Sequence, residues 1–283
     1  PFHEGYTDPA LRLGFMDRCG IARQLLSLPG LFGIDSLPLA EAAPLVRLYN
    51  DATAQLCRDH PTRFSGLAAL PLAGPDESVA ELRRARQDLG LAGAILPVDA
   101  FRSEKQSARL APLFQQADAL GAHLFVHPGR RPDGGPLPPA PEDHDLARRA
   151  LAVQHEVGEA MVTLLLSDFL DAFPHVTVQV ANLGGTFPAV VERMDHMVSL
   201  RDPSRPLPSS RARKVWVDCS SLGARSLEQA VAVFGADRVV LGTDCPIFDT
   251  VRTVAAVRDA RLDAAERQQV LAGNAQRLLG LAG

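Results

Sequence analysis

Two short apolar runs end on side chains able to hold a metal ion or move a proton. Val239-Val240-Leu241 reaches Gly242 and stops at Thr243-Asp244-Cys245-Pro246, and His123-Leu124-Phe125-Val126 stops at His127-Pro128. In each, β-forming residues give way to a turn. A carboxylate and an imidazole are therefore expected at the C-terminal tips of buried strands, where parallel α/β barrels keep their chemistry. Two further tips carry polar groups, Asn182 after 176–180 and Asp218 with Cys219 after 215–217. Imidazole and carboxylate are ligands of a divalent cation that keeps a position open for water and lowers its pKa towards about 7. His127 and Asp244 are of those types, although two ligands alone do not hold a catalytic metal. Taken singly, a His before Pro and an Asp in a turn are more often structural; the metal reading rests on their shared place at strand tips.

The elements that must position these residues alternate along the chain. Strand patterns fall at 24–28, 63–70, 92–96, 123–126, 176–180, 215–217 and 239–241. Between them lie helical patterns at 43–59, 76–89, 107–120, 145–172 with a break near Gly158, 186–200 and 226–233. A helix within 1–22 precedes them and two closing helices fill 250–279. Connections of this length force parallel pairing. A barrel needs eight strands and seven are read, so the expected fold is an α/β, (β/α)8 TIM barrel, its first strand upstream of residue 1, with 1–283 forming one domain. An open doubly wound sheet is the competing arrangement. Residues 129–142 hold five prolines and three glycines, too many for a regular element. They read as either a surface insertion or a wall over the site.

The 283 residues are 46% hydrophobic and 22% charged, with a formal net charge of −4, which offers no electrostatic footprint for nucleic acid or anionic membrane. No apolar run approaches the roughly 18 residues of a membrane span, and the first residues lack a secretory layout. The expected location is cytoplasmic. Cys19, Cys57, Cys219 and Cys245 form no C-x-x-C pair, which fits reduced thiols, and Cys219 and Cys245 are assigned to packing. Arg102, Arg130 and Arg131 fall in strand-exit loops, where a guanidinium suits a bidentate grip on a carboxylate; ordinary solvated charge is the alternative. Leu31, Phe32, Ile34, Leu37 and Phe248 would add apolar walls. His123, at an even offset from His127, points to the same strand face and reads as a core histidine; His196 is kept as a residue that could support the site from behind.

A family resemblance runs through Met16-Asp17-Arg18-Cys19-Gly20-Ile21, Pro61-Thr62-Arg63-Phe64-Ser65-Gly66-Leu67-Ala68-Ala69-Leu70-Pro71, Phe125-Val126-His127-Pro128, Ala181-Asn182-Leu183-Gly184-Gly185-Thr186-Phe187-Pro188 and Leu241-Gly242-Thr243-Asp244-Cys245-Pro246. In that order the set resembles the amidohydrolase superfamily, in the single-metal branch that includes aminocarboxymuconate semialdehyde decarboxylase. The resemblance implies His127 as a metal ligand and Asp244 as a metal ligand or proton acceptor. The family's strand-one H-x-H pair has no counterpart, His3 being a loop residue, which implies a strand lying upstream. Asn182 stands where the family commonly has a histidine; an amide donates and accepts hydrogen bonds but carries no proton near neutral pH, so base catalysis would fall to Asp244. A two-metal site bridged by a carbamylated lysine is disfavoured, because Lys105 and Lys214 are the only lysines and neither ends a strand. The expected cofactor is one divalent metal, zinc or else manganese. The expected reaction is hydrolysis or decarboxylation of a small carboxylated, ring-derived molecule, in a homodimer; a catalytically silent, ligand-binding barrel is the alternative.

Overall fold

The computed structural model describes residues 8–30, 34, 37–134, 143–220 and 222–281. Phe32, His3 and residues 135–142 of the proline-rich loop lie outside that set. Seven strands form one sheet in chain order: β1 (Gln24–Leu26), β2 (Phe64–Ala68), β3 (Gly93–Pro97), β4 (His123–His127), β5 (Thr177–Val180), β6 (Trp216–Asp218) and β7 (Val239–Val240). Every neighbouring pair is parallel. A doubly wound sheet reverses its strand order at a switch point, and this one does not, so the open alternative is set aside. The described residues supply seven strands of the eight expected.

Helix α1 (Pro9–Cys19) opens the chain; Asp8 caps it by accepting from the Ala10 and Leu11 N–H groups, and Gly20 ends it at φ 71°. Helices α2 (Leu39–Asp59), α3 (Pro75–Gln87), α4 (Ala111–Ala119), α5 (Asp145–Leu166), α6 (Phe187–Arg201) and α7 (Ala224–Phe234) return the chain between strands. One core joins the buried strand residues Leu96, Leu124, Val126, Val180 and Val217 to Leu82, Phe114, Met161, Phe187 and Phe234 of the helices. No helix among the described residues is long and apolar enough to cross a membrane.

Two expectations are corrected. Helix α5 runs through Gly158 without a break and stops at Leu166, with a separate 3-10 turn over Phe169–Ala172. The glycine is there for close approach: a Cβ on Gly158 would lie 2.3 Å from Thr186 Oγ1, just ahead of α6. The expected helix at 107–120 is split into a turn at Glu104–Ser107, a 3-10 turn at Ala108–Leu110, and α4. The closing pair is present as expected: α8 (Thr250–Asp259), and a second helical run from α9 (Ala264–Gln268) through a π segment over Gln269–Gly273 into α10 (Asn274–Leu278).

Candidate active site at the carboxyl ends of the strands

Parallel register carries four polar tips to one rim. Pro97 pairs with His127 and Val126 with Val180, two residues before Asn182; Val180 pairs with Val217, and Asp218 with Val240, four residues before Asp244. His127 is buried at the end of β4, and its Nδ1 lies 3.1 Å from the Pro128 carbonyl. A carbonyl only accepts, so Nδ1 carries a hydrogen, and Nε2 is the nitrogen left to take a proton or a ligand. That Nε2 faces Asp244 Oδ1 at 3.7 Å. Burial works against a charged His127 ring, but the Asp244 and Asp218 carboxylates and the Pro128 carbonyl outweigh it and hold its pKa above the ordinary value.

Asn182 and Asp244 both take positive φ, 56° and 50°, and Leu183 follows at 54°. Non-glycine residues in this region store roughly 1–3 kcal/mol each, and such strain gathers at functional sites. Two glycines make room beside them. A Cβ on Gly242 would lie 2.7 Å from Asp218 Oδ1, and one on Gly185 would lie 2.2 Å from the Gln154 carbonyl. The two tips are thus held by close packing of backbone on carboxylate and backbone on helix.

Asp218, whose strand-tip position carries no role by sequence alone, is a central acceptor in the structure. Only 1% exposed, it takes the Gln179 Nε2–H on Oδ2 at 2.9 Å and the Ser220 and Asn182 N–H groups on Oδ1 at 3.1 and 3.4 Å. Burial raises its pKa, with Asp244 adding to the rise, while Gln179, Ser220 and His127 pull it back. Gln179 is in turn fixed by His123, whose Nε2 lies 3.2 Å from Gln179 Oε1. A line of buried hydrogen bonds therefore runs inside the sheet from His123 at the start of β4 to the rim.

The three arginines meet around a different carboxylate. Asp99, 3% exposed just after β3, has Arg130 Nη1 at 3.6 Å, Arg102 Nη1 at 3.7 Å and Arg131 Nη1 at 3.9 Å. Each has a second acidic partner: Arg130 binds Glu156 at 2.9 Å, Arg102 binds Glu159 at 2.9 Å, and Arg131 binds Asp133 at 2.7 Å. Asp99 carried no local signal in the sequence beyond its place after a strand. Phe248 stands four residues past Asp244 on a turn closed by its N–H to the Asp244 carbonyl, and the residue is 45% exposed. His196 is exposed on α6. Burial pushes the Cys219 thiol up to about 12, which leaves it protonated and inert. Among the described residues no three His, Cys, Asp or Glu side chains gather closely enough to hold a metal by themselves. The His127–Asp244 pair nevertheless has the right donors for a divalent cation, one imidazole nitrogen and one carboxylate oxygen on one rim.

A sequential parallel α/β sheet with imidazole and carboxylate at its carboxyl rim is the arrangement of an α/β enzyme that works at that rim. The amidohydrolase family model matches residues 2–281, and the chain belongs to that family. It is 28% identical to 2-amino-3-carboxymuconate-6-semialdehyde decarboxylase of Dictyostelium discoideum, over 97% of this chain and 77% of that protein. It is 27% identical to gamma-resorcylate decarboxylase of Polaromonas sp. strain JS666, over 95% of this chain and 86% of that one. Among solved structures, 2,6-dihydroxybenzoate decarboxylase from Rhizobium superposes with a TM-score of 0.79 at 25% identity, covering 98% of this chain and 89% of the other. The dihydroxybenzoic acid decarboxylase of Polaromonas sp. JS666, solved with bound manganese and 2-nitroresorcinol, shares the fold at 24% identity and a TM-score of 0.79, over 96% of this chain and 86% of that one.

Proposed function

We propose that the protein decarboxylates a small hydroxylated aromatic acid with one divalent cation held by His127 and Asp244, the sheet serving as seven strands of an eight-stranded barrel. The observation that carries this reading is the His127 ring: Nδ1 is committed to the Pro128 carbonyl, and Nε2 is aimed at Asp244 Oδ1, 3.7 Å away. The relatives' decarboxylase names and the Rhizobium structure complexed with 2,6-dihydroxybenzoate support the reaction and the substrate class. Manganese in the Polaromonas structure and the mixed N and O donor pair support manganese or zinc. When bound, the cation supplies Lewis acidity towards oxygens of the substrate.

The chain's own residues then divide the work. The carbon–carboxylate bond breaks, carbon dioxide leaves, and the ring carbon keeps the electron pair and takes a proton. Asn182 holds a substrate hydroxyl or carboxylate by hydrogen bonds but has no proton to give. Asp244 takes a proton from the substrate's own hydroxyl group and returns it to the ring carbon, with Asp218 fixing the backbone of the Asn182 tip. Arg102, Arg130 and Arg131 are matched by Asp99 and by Glu159, Glu156 and Asp133, so they grip a substrate carboxylate by exchanging one of those partners, and Phe248 gives the ring an apolar wall.

The test uses manganese-loaded protein and, separately, zinc-loaded protein with 2,6-dihydroxybenzoate, measuring carbon dioxide and ring product together. One carbon dioxide per acid consumed is expected, with a loss of at least about 100-fold in Asp244→Ala. Consumption without carbon dioxide, or an Asp244→Ala variant as fast as the parent, would sink the proposal.

A further inference from the structure

Asp99 lies in the 3-10 turn Val98–Phe101 that follows β3, and its carboxylate is buried. Three guanidinium groups surround it, Arg130 at 3.6 Å, Arg102 at 3.7 Å and Arg131 at 3.9 Å, and their side chains are 23%, 42% and 21% exposed. A solvent-reachable layer of positive charge thus stands over one hidden negative charge. No other buried carboxylate among the described residues is placed in this way. Glu81 has one arginine, Arg84, at 2.7 Å, and Asp218 takes its hydrogen bonds from Gln179 and from backbone N–H groups. A Cβ on Gly134 would lie 2.5 Å from Asp99 Oδ2, so backbone packs directly on that oxygen.

The three arginines are near Asp99 without being hydrogen-bonded to its carboxylate. All three separations exceed hydrogen-bond reach, Oδ2 has no hydrogen-bond partner, and Arg131 Nη1 donates at 3.1 Å to the Asp99 backbone carbonyl instead. Their short bonds go outward to Glu159, Glu156 and Asp133, and Arg109 joins Asp133 as well. Arg102, Arg109, Arg130 and Arg131 are thereby balanced by Asp99, Asp133, Glu156 and Glu159. Asp99 acts on its arginines as charge alone, and that charge weakens the pull of all three on any further anion. The cluster belongs to the carboxyl rim: Pro97 pairs with His127, Asp99 is two residues past Pro97, and Arg130 is three residues past His127.

A counter-charge behind the arginines matters for a decarboxylation in particular. As the carbon–carboxylate bond breaks, negative charge leaves the carboxylate oxygens for the ring, and carbon dioxide departs neutral. Cations that hold the carboxylate firmly stabilise the starting state more than the transition state and so slow the step. We propose that Asp99 is a positioning residue that sets, through Arg102, Arg130 and Arg131, how tightly the rim holds a carboxylate, keeping the grip weak enough for that group to give up its charge. The role in turnover rests on the reaction proposed above; the effect on carboxylate binding does not.

The first probe is benzoate, a carboxylate on a ring with no hydroxyl group, titrated calorimetrically into manganese-loaded parent and Asp99→Asn. Removing the charge at nearly constant shape should tighten benzoate about tenfold, while resorcinol, a ring without a carboxylate, should bind both proteins alike. Glu156→Gln frees Arg130 from its outer acid without touching the buried site; it should tighten benzoate in the same sense, and it carries the test if Asp99→Asn does not fold. With 2,6-dihydroxybenzoate as substrate, Asp99→Asn should lower KM and kcat together, each about tenfold. A residue that only supports the structure gives the opposite split, with KM raised. Benzoate bound no more tightly by folded Asp99→Asn, or by Glu156→Gln where it stands in, overturns the proposal whether or not the parent turns over the acid. Tighter benzoate with an unchanged or faster kcat overturns the role in turnover. Tighter benzoate in a protein that releases no carbon dioxide overturns the proposed reaction and leaves Asp99 as the residue that sets carboxylate binding.

Discussion

At Gly242 a single methyl group collides with the site. Its Cβ would lie 2.7–2.8 Å from Oδ1, Cβ and Cγ of Asp218, a side chain held on both oxygens and unable to swing aside without losing the Gln179 or Ser220 bond. Gly242→Ala should therefore lose about 1–3 kcal/mol of stability, the usual cost of overfilling a packed interior. Asp244 lies two residues on, so the same variant should also bind manganese more weakly. Urea unfolding and a manganese titration check the two effects; an unchanged unfolding midpoint would mean that Asp218 has slack the geometry does not show. The tips His127 and Asp244 were legible in the sequence because an apolar run ending in a turn is a local pattern. The partner of Asp218 was not: Gln179 is 39 residues away, and only the β5–β6 register sets them side by side. Asn182 was read by analogy of position, and its positive φ had no signal beyond the glycines that follow it.

The strand order was readable at the scale of elements, while element ends and breaks were set by contacts no local pattern carries. Gly158 looked like a helix breaker, and the approach of Thr186 explains why a glycine is tolerated inside α5. The last helical run is continuous over 264–278, and the feature the sequence does not signal is the π segment inside it, before α10. That detour brings the Val270 carbonyl to the Leu241 N–H at 2.9 Å and buries Asn274, whose Nδ2 donates to the Ala236 and Val239 carbonyls at 2.7 Å each. β7 has only two residues, so these bonds hold the strand that presents Asp244. Asn274→Leu leaves two carbonyls without that donor and should cost about 2–3 kcal/mol, read as a lower urea midpoint at unchanged slope. Loss of less than a few tenths would show that β6 alone suffices to hold β7.

On the scale of the whole molecule, the buried line His123–Gln179–Asp218 ties one end of the sheet to the other and makes folding sensitive to acid. Burial, partly offset by the hydrogen bond to Gln179, pulls the His123 pKa down to about 4, so the ring stays neutral in the folded chain. In the unfolded chain an imidazole takes its proton near about 6.5. Between those values the unfolded state binds more protons than the native one, so the His123 contribution is intact above about 6.5 and is lost as pH falls towards 4. Other groups titrate in the same range, and the raised values at His127 and Asp218 act in the opposite sense. Comparison with His123→Gln cancels them. The stability of the parent relative to this variant should fall by about 2 kcal/mol between about pH 7 and about pH 5, roughly the 1.4 kcal/mol per unit expected for one proton over most of that span. A difference that stays flat across the window would mean that the ring is already charged in the folded chain. His123 would then be a donor at both nitrogens.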